Sequence, residues 1–171
     1  KSLAIRTIFN ILGPMTNPAG VKRQIIGVSR EDLAEKLAGA MAQLDTTHAM
    51  IIHGYDGLCD ISISGPTLIY EIKGSHIEKY TVHPADFGLT SMPLDSILIN
   101  SPQQSAQMIK DVLAGKTGPT RDIASLNAAS ALVVAGLAKS LKEGLELARQ
   151  AIDSGAAADA LEHLITISNQ K

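Results

Sequence analysis

The sequence predicts an α/β protein in which a mostly parallel sheet with one antiparallel hairpin is flanked by helices. Three observations predict this class. Two strand patterns enclose a helical pattern near the amino end, a hairpin pattern follows, and helical periodicity dominates from residue 101 onward. A chain of 171 residues is long enough to bury a core. We therefore expect residues 1–171 to form a single α/β domain.

The first strand–helix–strand unit begins after the turn signal at Pro18. The run RQIIGVS at 23–29 has the short apolar character of a buried strand. Ser29 is expected to open a helix, with Asp32 as the acid of a capping box. HAMIIH at 48–53 is a second buried strand, and such a unit normally forms a right-handed parallel crossover. The apolar face of the helix is predicted to comprise Leu33, Leu37, Met41 and Leu44.

A hairpin is predicted in the middle of the chain. TLIYEI at 67–72 and HIEKYTV at 76–82 flank the turn sequence that contains Gly74. Residues 83–101 contain prolines and a glycine and are expected to be irregular.

Four helices are predicted beyond the hairpin. Ser101 has the position of an N-cap and Gly115 that of a helix stop. A long helix follows at about 120–137, and another opens with a capping box at Ser140 and ends at Gly155. In the helix that begins at Ser101, the buried stripe is predicted to be Met108, Ile109, Val112 and Leu113. A last helix carries Leu161, Leu164 and Ile165.

Composition excludes several classes of protein. The net charge is −2 and no basic stripe follows any predicted helix, so nucleic acid is not the expected main partner. Cys59 is the only cysteine, so no internal disulfide is possible and a cytoplasmic location is expected. No apolar run is long enough to cross a bilayer.

The segment at 6–19, RTIFNILGPMTNPA, is the most informative stretch. It is apolar enough for burial, yet it contains asparagines, an arginine and the helix-breaking step Gly13-Pro14. A buried irregular segment with polar side chains is typical of a binding site. The alternative is a helix end and turn that close a core.

The loop at 53–60 is the second candidate site. It follows a buried strand, and ligands of α/β proteins bind at the carboxyl ends of parallel strands. Asp56 and Asp60 are hard oxygen donors suited to Mg²⁺, although solvated turn aspartates remain an alternative. His53 is either a base or, more simply, a strand-end histidine bonded to backbone. Cys59 has no evident partner base and is expected to be a passive thiol.

The opening of the long helix offers weaker candidates. Arg121 and Asp122 are expected to belong to a cap region, and Asn127 with Ser130 predicts close helix packing. The spacing of the other histidines does not match a zinc site.

Three motifs together resemble a known family. RTIFNILGPMTNPAG at 6–20, HGYDGLCDIS at 53–62 and RDIASLNAASALVVAG at 121–136 occur in the order found in anthranilate phosphoribosyltransferases. The resemblance implies a fold of the nucleoside phosphorylase and phosphoribosyltransferase type, truncated to the C-terminal part of the large α/β domain. It also implies an Mg²⁺-dependent step of tryptophan biosynthesis in which anthranilate displaces pyrophosphate from 5-phosphoribosyl pyrophosphate.

The resemblance assigns site residues by position. Gly13 and Pro14 match the Gly-Pro step along the anthranilate channel, and Asn10 matches a neighbouring motif position. Cys59-Asp60 occupies the place of the family's Asp-Glu, which binds magnesium. Asp60 and Asp56 are therefore the expected metal ligands, and Cys59 stands where a carboxylate is usual, although a thiol is a poor Mg²⁺ ligand.

Other family elements have no counterpart in this sequence. These are the helical domain, the GTGGD-like pyrophosphate loop and the KHGN-like loop. We therefore expect a C-terminal fragment of a longer enzyme that is inactive alone, whose full form is a cytoplasmic homodimer. The alternatives are a non-catalytic relative that binds nucleic acid or another ligand, and a relative of pyrimidine nucleoside phosphorylases.

Overall fold

The computed structural model describes residue 13 and residues 15–170. They divide into two compact units. The first contains the described residues up to Asp60 together with Pro66–Val82, and the second contains Ile61–Gly65 and the described residues from His83 onward. The predicted single domain stays a prediction.

The first unit is built on a four-stranded sheet in the order β1-β2-β3-β4. β1 (Arg23–Gly27) runs parallel to β2 (His48–Gly54), whereas β3 (Thr67–Lys73) and β4 (His76–Val82) continue the sheet in antiparallel fashion. The α/β class, the parallel crossover and the hairpin are thus confirmed. The sheet is mixed rather than mostly parallel: among the described residues, one strand pairing is parallel and two are antiparallel, because both strands of the hairpin extend the sheet beside β2.

One face of this sheet packs on helix α1 (Glu31–Met41). The helix buries small and flexible apolar side chains, which allows it to approach the sheet closely. Leu37 and Met41 face this core as predicted, but Leu44 is exposed because the helix ends before it. The buried cluster comprises Ile26, Val28, Ala34, Leu37, Ala38, Met41, Ala49, Ile51, Leu68, Tyr70 and Ile72.

The predicted start of α1 is wrong by one residue. Arg30, not Ser29, is the N-cap residue, and no side chain caps the helix. The carboxylate of Asp32 instead accepts hydrogen bonds from the Arg30 guanidinium at 2.8 and 2.7 Å. The guanidinium of Arg30, two residues away, thus binds the carboxylate that a capping box would use.

The second unit is mainly helical. It contains α2 (Pro102–Leu113), α3 (Pro119–Ala135), α4 (Leu141–Asp153) and α5 (Ala156–Ser168), preceded by short 3₁₀ turns at Pro84–Phe87 and Leu94–Ile97. α3 and α4 pack so closely that a Cβ on Gly144 would lie 2.7 Å from the carbonyl oxygen of Ala129. The core of this unit includes Leu126, Ala129, Val133, Leu145, Ala148 and Ile152.

The predicted caps in this unit are confirmed, but the predicted stripe is not. Ser101 Oγ accepts from the backbone N–H of Gln104 at 3.1 Å, and Ser140 Oγ accepts from that of Glu143 at 3.2 Å. On α2 only Val112 is buried, and Ile109 is 51% exposed. Helical periodicity identifies an apolar face but does not say whether a neighbour covers it.

Within the described part of the chain, no helix is both long and apolar enough to cross a membrane.

Candidate functional site

The loop at 55–60 leaves the sheet at the edge where β1 and β2 end. Because these strands are parallel and Gly27 pairs with Ile52, their carboxyl ends lie side by side. This is the sheet edge at which α/β proteins place ligand-binding loops. The predicted metal residues follow β2 directly.

Gly27 lets this loop approach the end of β1. A Cβ built on Gly27 would lie 1.7 Å from the carbonyl oxygen of Cys59 and 2.7 Å from its carbonyl carbon. No side chain larger than hydrogen fits there without movement of backbone. The sequence did not predict this contact, and its only signal was an isolated glycine at the end of a strand pattern.

The loop is also fixed by its own hydrogen bonds. The N–H of Gly54 donates to Leu58 O at 2.9 Å, and the N–H of Gly57 donates to Gly54 O at 2.9 Å. Gly57 has φ +96°, a conformation that disfavours other residues. The N–H of Leu58 donates to Asp56 Oδ1 at 3.1 Å, so part of the Asp56 carboxylate is used to form the turn.

His53 occupies the structural position that the simpler prediction gave it. Its Nδ1–H donates to the carbonyl oxygen of Val28 at 3.0 Å, and the ring is buried. The ring also lies edge-on to Tyr55, with 5.6 Å between the centroids. His53 therefore ties the end of β2 to the residue that follows β1, and the prediction of a backbone-bonded strand-end histidine is confirmed.

The predicted metal residues share their exposure to solvent but differ in the hydrogen bonds that their side chains already make. Asp56, Cys59 and Asp60 are all exposed. In the described part of the chain, the Asp60 carboxylate has no hydrogen bond or ion pair. No group of three or more His, Cys, Asp or Glu side chains that could hold a metal occurs within residue 13 and residues 15–170.

Asp60 and Asp56 suit the way in which proteins usually hold Mg²⁺. Mg²⁺ is commonly held by one or two carboxylates together with substrate phosphates and water, rather than by a closed cage of protein groups. A single exposed carboxylate without a partner meets that requirement, and a thiol adds little to it. Asp60 is thus the side chain best suited to such an ion, with Asp56 as a second, partly committed donor.

Asn127, in the second unit, forms hydrogen bonds with the backbone of Ile61, the residue that follows Asp60. Its Oδ1 accepts from the N–H of Ile61 at 2.8 Å, and its Nδ2 donates to Ile61 O at 3.0 Å and to Ile123 O at 3.0 Å. The sequence suggested only helix packing for Asn127. The 66 residues that separate the partners leave no local signal of the contact.

Arg121 also has a structural contact that the sequence did not predict. Its guanidinium donates to the carbonyl oxygen of Gly115 at 2.8 Å and to both carboxylate oxygens of Asp153 at 2.7 and 2.8 Å. It therefore joins the end of α4 to the turn before α3 within the second unit.

A buried polar cluster lies at the opposite end of β2. Glu71 accepts from His48 Nε2 at 2.8 Å, from Lys73 Nζ at 2.6 Å and from the Tyr80 hydroxyl at 3.0 Å. Burial raises the pKa of Glu71, but the three donors outweigh it, so the pKa lies below its ordinary value. Burial, reinforced by the negative charge of Glu71, raises the pKa of Tyr80. These groups satisfy one another, which is the pattern of a structural network.

The predicted anthranilate residues fall largely outside the described chain. Asn10 and Pro14 lie outside the described residues. Gly13 is exposed, and a Cβ built on it would meet nothing within 4 Å. Their assignment to a binding channel stays a prediction.

The site geometry and the fold agree with a family of transferases. Residues 1–158 match the model of the glycosyl transferase family, a/b domain, and the chain belongs to this family.

The relatives and solved structures that the chain resembles are anthranilate phosphoribosyltransferases. The enzyme of that name from Nitrosomonas eutropha is 51% identical over 170 residues, which is 99% of this chain and 50% of the relative. The crystal structure of anthranilate phosphoribosyltransferase from Thermus thermophilus matches with a TM-score of 0.86 and 32% identity, over 96% of this chain and 48% of that one. The enzyme from Saccharomyces cerevisiae in complex with PRPP and Mg matches with a TM-score of 0.86 and 30% identity, over the same shares of the two chains.

The resemblance inferred from the three motifs is thereby confirmed. The chain spans about half the length of the curated relatives it matches.

Proposed function

We propose that this chain contributes the magnesium-binding loop and part of the substrate site to an anthranilate phosphoribosyltransferase. The proposed reaction transfers the phosphoribosyl group of 5-phosphoribosyl pyrophosphate to the amine of anthranilate, with release of pyrophosphate, in tryptophan biosynthesis. The observation that carries the proposal is the exposed, unpartnered carboxylate of Asp60 in a loop with fixed backbone. The named relatives support the choice of substrates.

The proposed chemistry needs positioning and charge neutralisation rather than a protein nucleophile. The amine of anthranilate attacks C1 of the ribose as pyrophosphate departs, so a site gains most by holding the two reactants in line. Magnesium, when bound, neutralises the charge that develops on the leaving pyrophosphate. Asp60 would hold this ion, and Asp56 would add an oxygen or hold a water bound to the ion. Cys59 would contribute no strong contact, because Mg²⁺ prefers oxygen.

The anthranilate side of the site is proposed to include Gly13, Pro14 and Asn10. A rigid proline beside glycine offers a flat apolar wall for an aromatic ring.

The proposal extends to the setting of the whole enzyme. We infer a cytoplasmic homodimer that uses these two small molecules and does not act on nucleic acid. The single cysteine supports the cytoplasmic location, and the net charge of −2 supports the exclusion of nucleic acid.

A chimera tests the proposed function. The matching half of the Nitrosomonas eutropha enzyme is replaced by this chain, and turnover is followed by the loss of anthranilate fluorescence with PRPP and Mg²⁺. We expect activity. A contact to a charged group contributes about 1.5 kcal/mol or more, which is about tenfold in affinity. Asp60→Asn should therefore raise the Mg²⁺ concentration for half-maximal rate by about tenfold, and Cys59→Asp should lower it.

The control is Glu78→Gln, which removes an exposed carboxylate of β4 and should leave the Mg²⁺ requirement unchanged. A chimera that folds yet consumes no anthranilate would contradict the proposal. Salt-sensitive binding of single-stranded DNA by the same chimera would then favour the non-catalytic alternative.

A further inference from the structure

The segment that follows Asp60 is buried but has no regular secondary structure. Ile61, Ser62 and Ile63 are each 1% exposed. A buried backbone outside helices and strands must find hydrogen-bond partners among side chains or other loops, because an unpaired group costs about 1–3 kcal/mol. Here the partner of Ile61 is a single side chain of helix α3.

The amide of Asn127 satisfies both backbone groups of Ile61 in the manner of a neighbouring strand. It accepts from the N–H at 2.8 Å and donates to the carbonyl oxygen at 3.0 Å. Its remaining amide hydrogen is directed to Ile123 O at 3.0 Å. These partners fix the orientation of the amide, since the flipped amide would set NH₂ against an N–H donor and oxygen against two carbonyl oxygens.

The side chain of Asp60 has no such restraint of its own. Because its carboxylate makes no hydrogen bond or ion pair on the described chain, the positions that it can reach are set by its backbone. On the amino side, the absence of a Cβ on Gly27 makes room for the carbonyl group of Cys59 within the first unit. On the carboxyl side, the next residue is Ile61, which Asn127 holds within the second unit.

We propose that Asn127 is a positioning residue for Asp60: by holding Ile61, it fixes where the metal-binding carboxylate of the 55–60 loop stands. The inference rests on the proposed function of Asp60. Mg²⁺ requires near-ideal octahedral geometry at short distances, so a small displacement of one carboxylate weakens its contact. Asn127 itself touches neither metal nor substrate in this scheme.

The experiment measures binding of Mn²⁺, as a probe for Mg²⁺, to the chimera described above in the presence of pyrophosphate by titration calorimetry, because the other half of the chimera supplies the rest of the proposed phosphate site. Asn127→Asp keeps the size of the side chain and one acceptor but sets oxygen against the carbonyl groups of Ile61 and Ile123. We expect about tenfold weaker Mn²⁺ binding, which corresponds to about 1.4 kcal/mol. Faster hydrogen exchange in the peptide that covers 59–62 should accompany it.

A double-mutant cycle separates positioning from a merely structural role. If Asn127 acts through Asp60, then adding Asn127→Asp to Asp60→Asn should weaken Mn²⁺ binding no further. If Asn127 only stabilises the fold, the effect of Asn127→Asp should either add to that of Asp60→Asn or vanish once the fraction of folded protein is taken into account. Asn127→Ser is the second variant if Asn127→Asp does not fold, because it removes the same bonds without introducing a charge.

The matched control is Ser125→Ala on the same helix. The Ser125 hydroxyl is buried and has no hydrogen-bond partner in the described part of the chain, so its removal should alter neither metal affinity nor exchange at 59–62. Unchanged Mn²⁺ affinity in both Asn127 variants, or additive effects in the cycle, would overturn the inference alone. No binding of Mn²⁺ and pyrophosphate by the unaltered chimera would overturn the metal assignment of Asp60, and the inference with it.

Discussion

At the amino end of β2, the carboxylate of Glu71 is buried and accepts hydrogen bonds from three side chains. In the loop beyond the carboxyl end of the same strand, the carboxylate of Asp60 is exposed and bonded to nothing on the described chain. Both acids lie on or next to one sheet, so fold alone does not explain the difference. The difference shows that a carboxylate whose hydrogen bonds are all made within the protein stabilises the fold. A carboxylate with no hydrogen bond of its own remains available to a ligand.

The backbone contact beneath Asp60 offers the strongest way to break this comparison. Gly27→Ala would place a Cβ 1.7 Å from the carbonyl oxygen of Cys59, so strand or loop must shift. Overpacking of this kind costs about 3 kcal/mol. Urea unfolding measured by circular dichroism should show a loss of this order, together with weaker binding of Mn²⁺ and pyrophosphate.

The matched control for that variant is Gly39→Ala in α1. Its Cβ would meet nothing within 4 Å, and alanine in a helix is more stable than glycine by up to about 1 kcal/mol. Equal stability of the two variants would mean that the loop yields to the added methyl group without cost.

Glu71, which lies on β3 beside the amino end of β2, should affect the stability of the fold and not the binding of metal. Glu71→Gln keeps an acceptor but removes the charge that His48, Lys73 and Tyr80 surround. Because Lys73 is 57% exposed, its ion pair is screened, and the expected loss comes mainly from the other two bonds, at about 1–2 kcal/mol. Thermal unfolding checks this value, and Mn²⁺ titration should show no change in affinity.

Glu78→Gln is the control for this pair of strands. Glu78 lies directly opposite Glu71 on β4 but is exposed, so its substitution should stay within about 0.5 kcal/mol. A loss as large as that of Glu71→Gln would show that the network around Glu71 contributes nothing special.

The Glu71 network should also be visible as a pH dependence. The pKa of Glu71 in the folded protein lies below its ordinary value of 4.5. The ionised form is therefore favoured by folding, and its contribution to stability is present above the ordinary pKa and is lost as the pH falls through the folded-state pKa. We expect the difference in free energy of unfolding between the unaltered chain and Glu71→Gln to shrink as the pH falls from about 6 to about 3. A difference that grows toward acid would contradict the sign of the shift.

The smallest effect on stability is expected at Asp60. Asp60→Asn removes a charge that has no partner on the described chain, so the free energy of unfolding should change by less than about 0.5 kcal/mol. The same variant should lose affinity for Mn²⁺ with pyrophosphate. If instead the stability fell as much as in Glu71→Gln, Asp60 would have a structural partner and the contrast between the two acids would disappear.

The sequence predicted the parts of the fold that depend on neighbouring residues. The apolar run at 48–53 becomes β2, the Gly74 turn joins β3 to β4, and Ser101 caps α2 through a bond to a residue three positions away. Such features are readable because backbone periodicity and capping act over a few residues. The wrong prediction at Ser29 also has a local cause, because the Arg30 guanidinium binds the Asp32 carboxylate that was expected to complete the capping box.

The sequence also located the loop at 53–60, but it did not show how that loop is held. Tertiary structure alone decided that Cys59 packs on Gly27, that Asn127 holds Ile61 and that Glu71 is enclosed by His48 and Tyr80. It likewise decided that Ile109 stays exposed on a helix whose pattern predicted burial. These partners lie far apart along the chain or on adjacent strands, and only the packing of strands and helices brings them into contact.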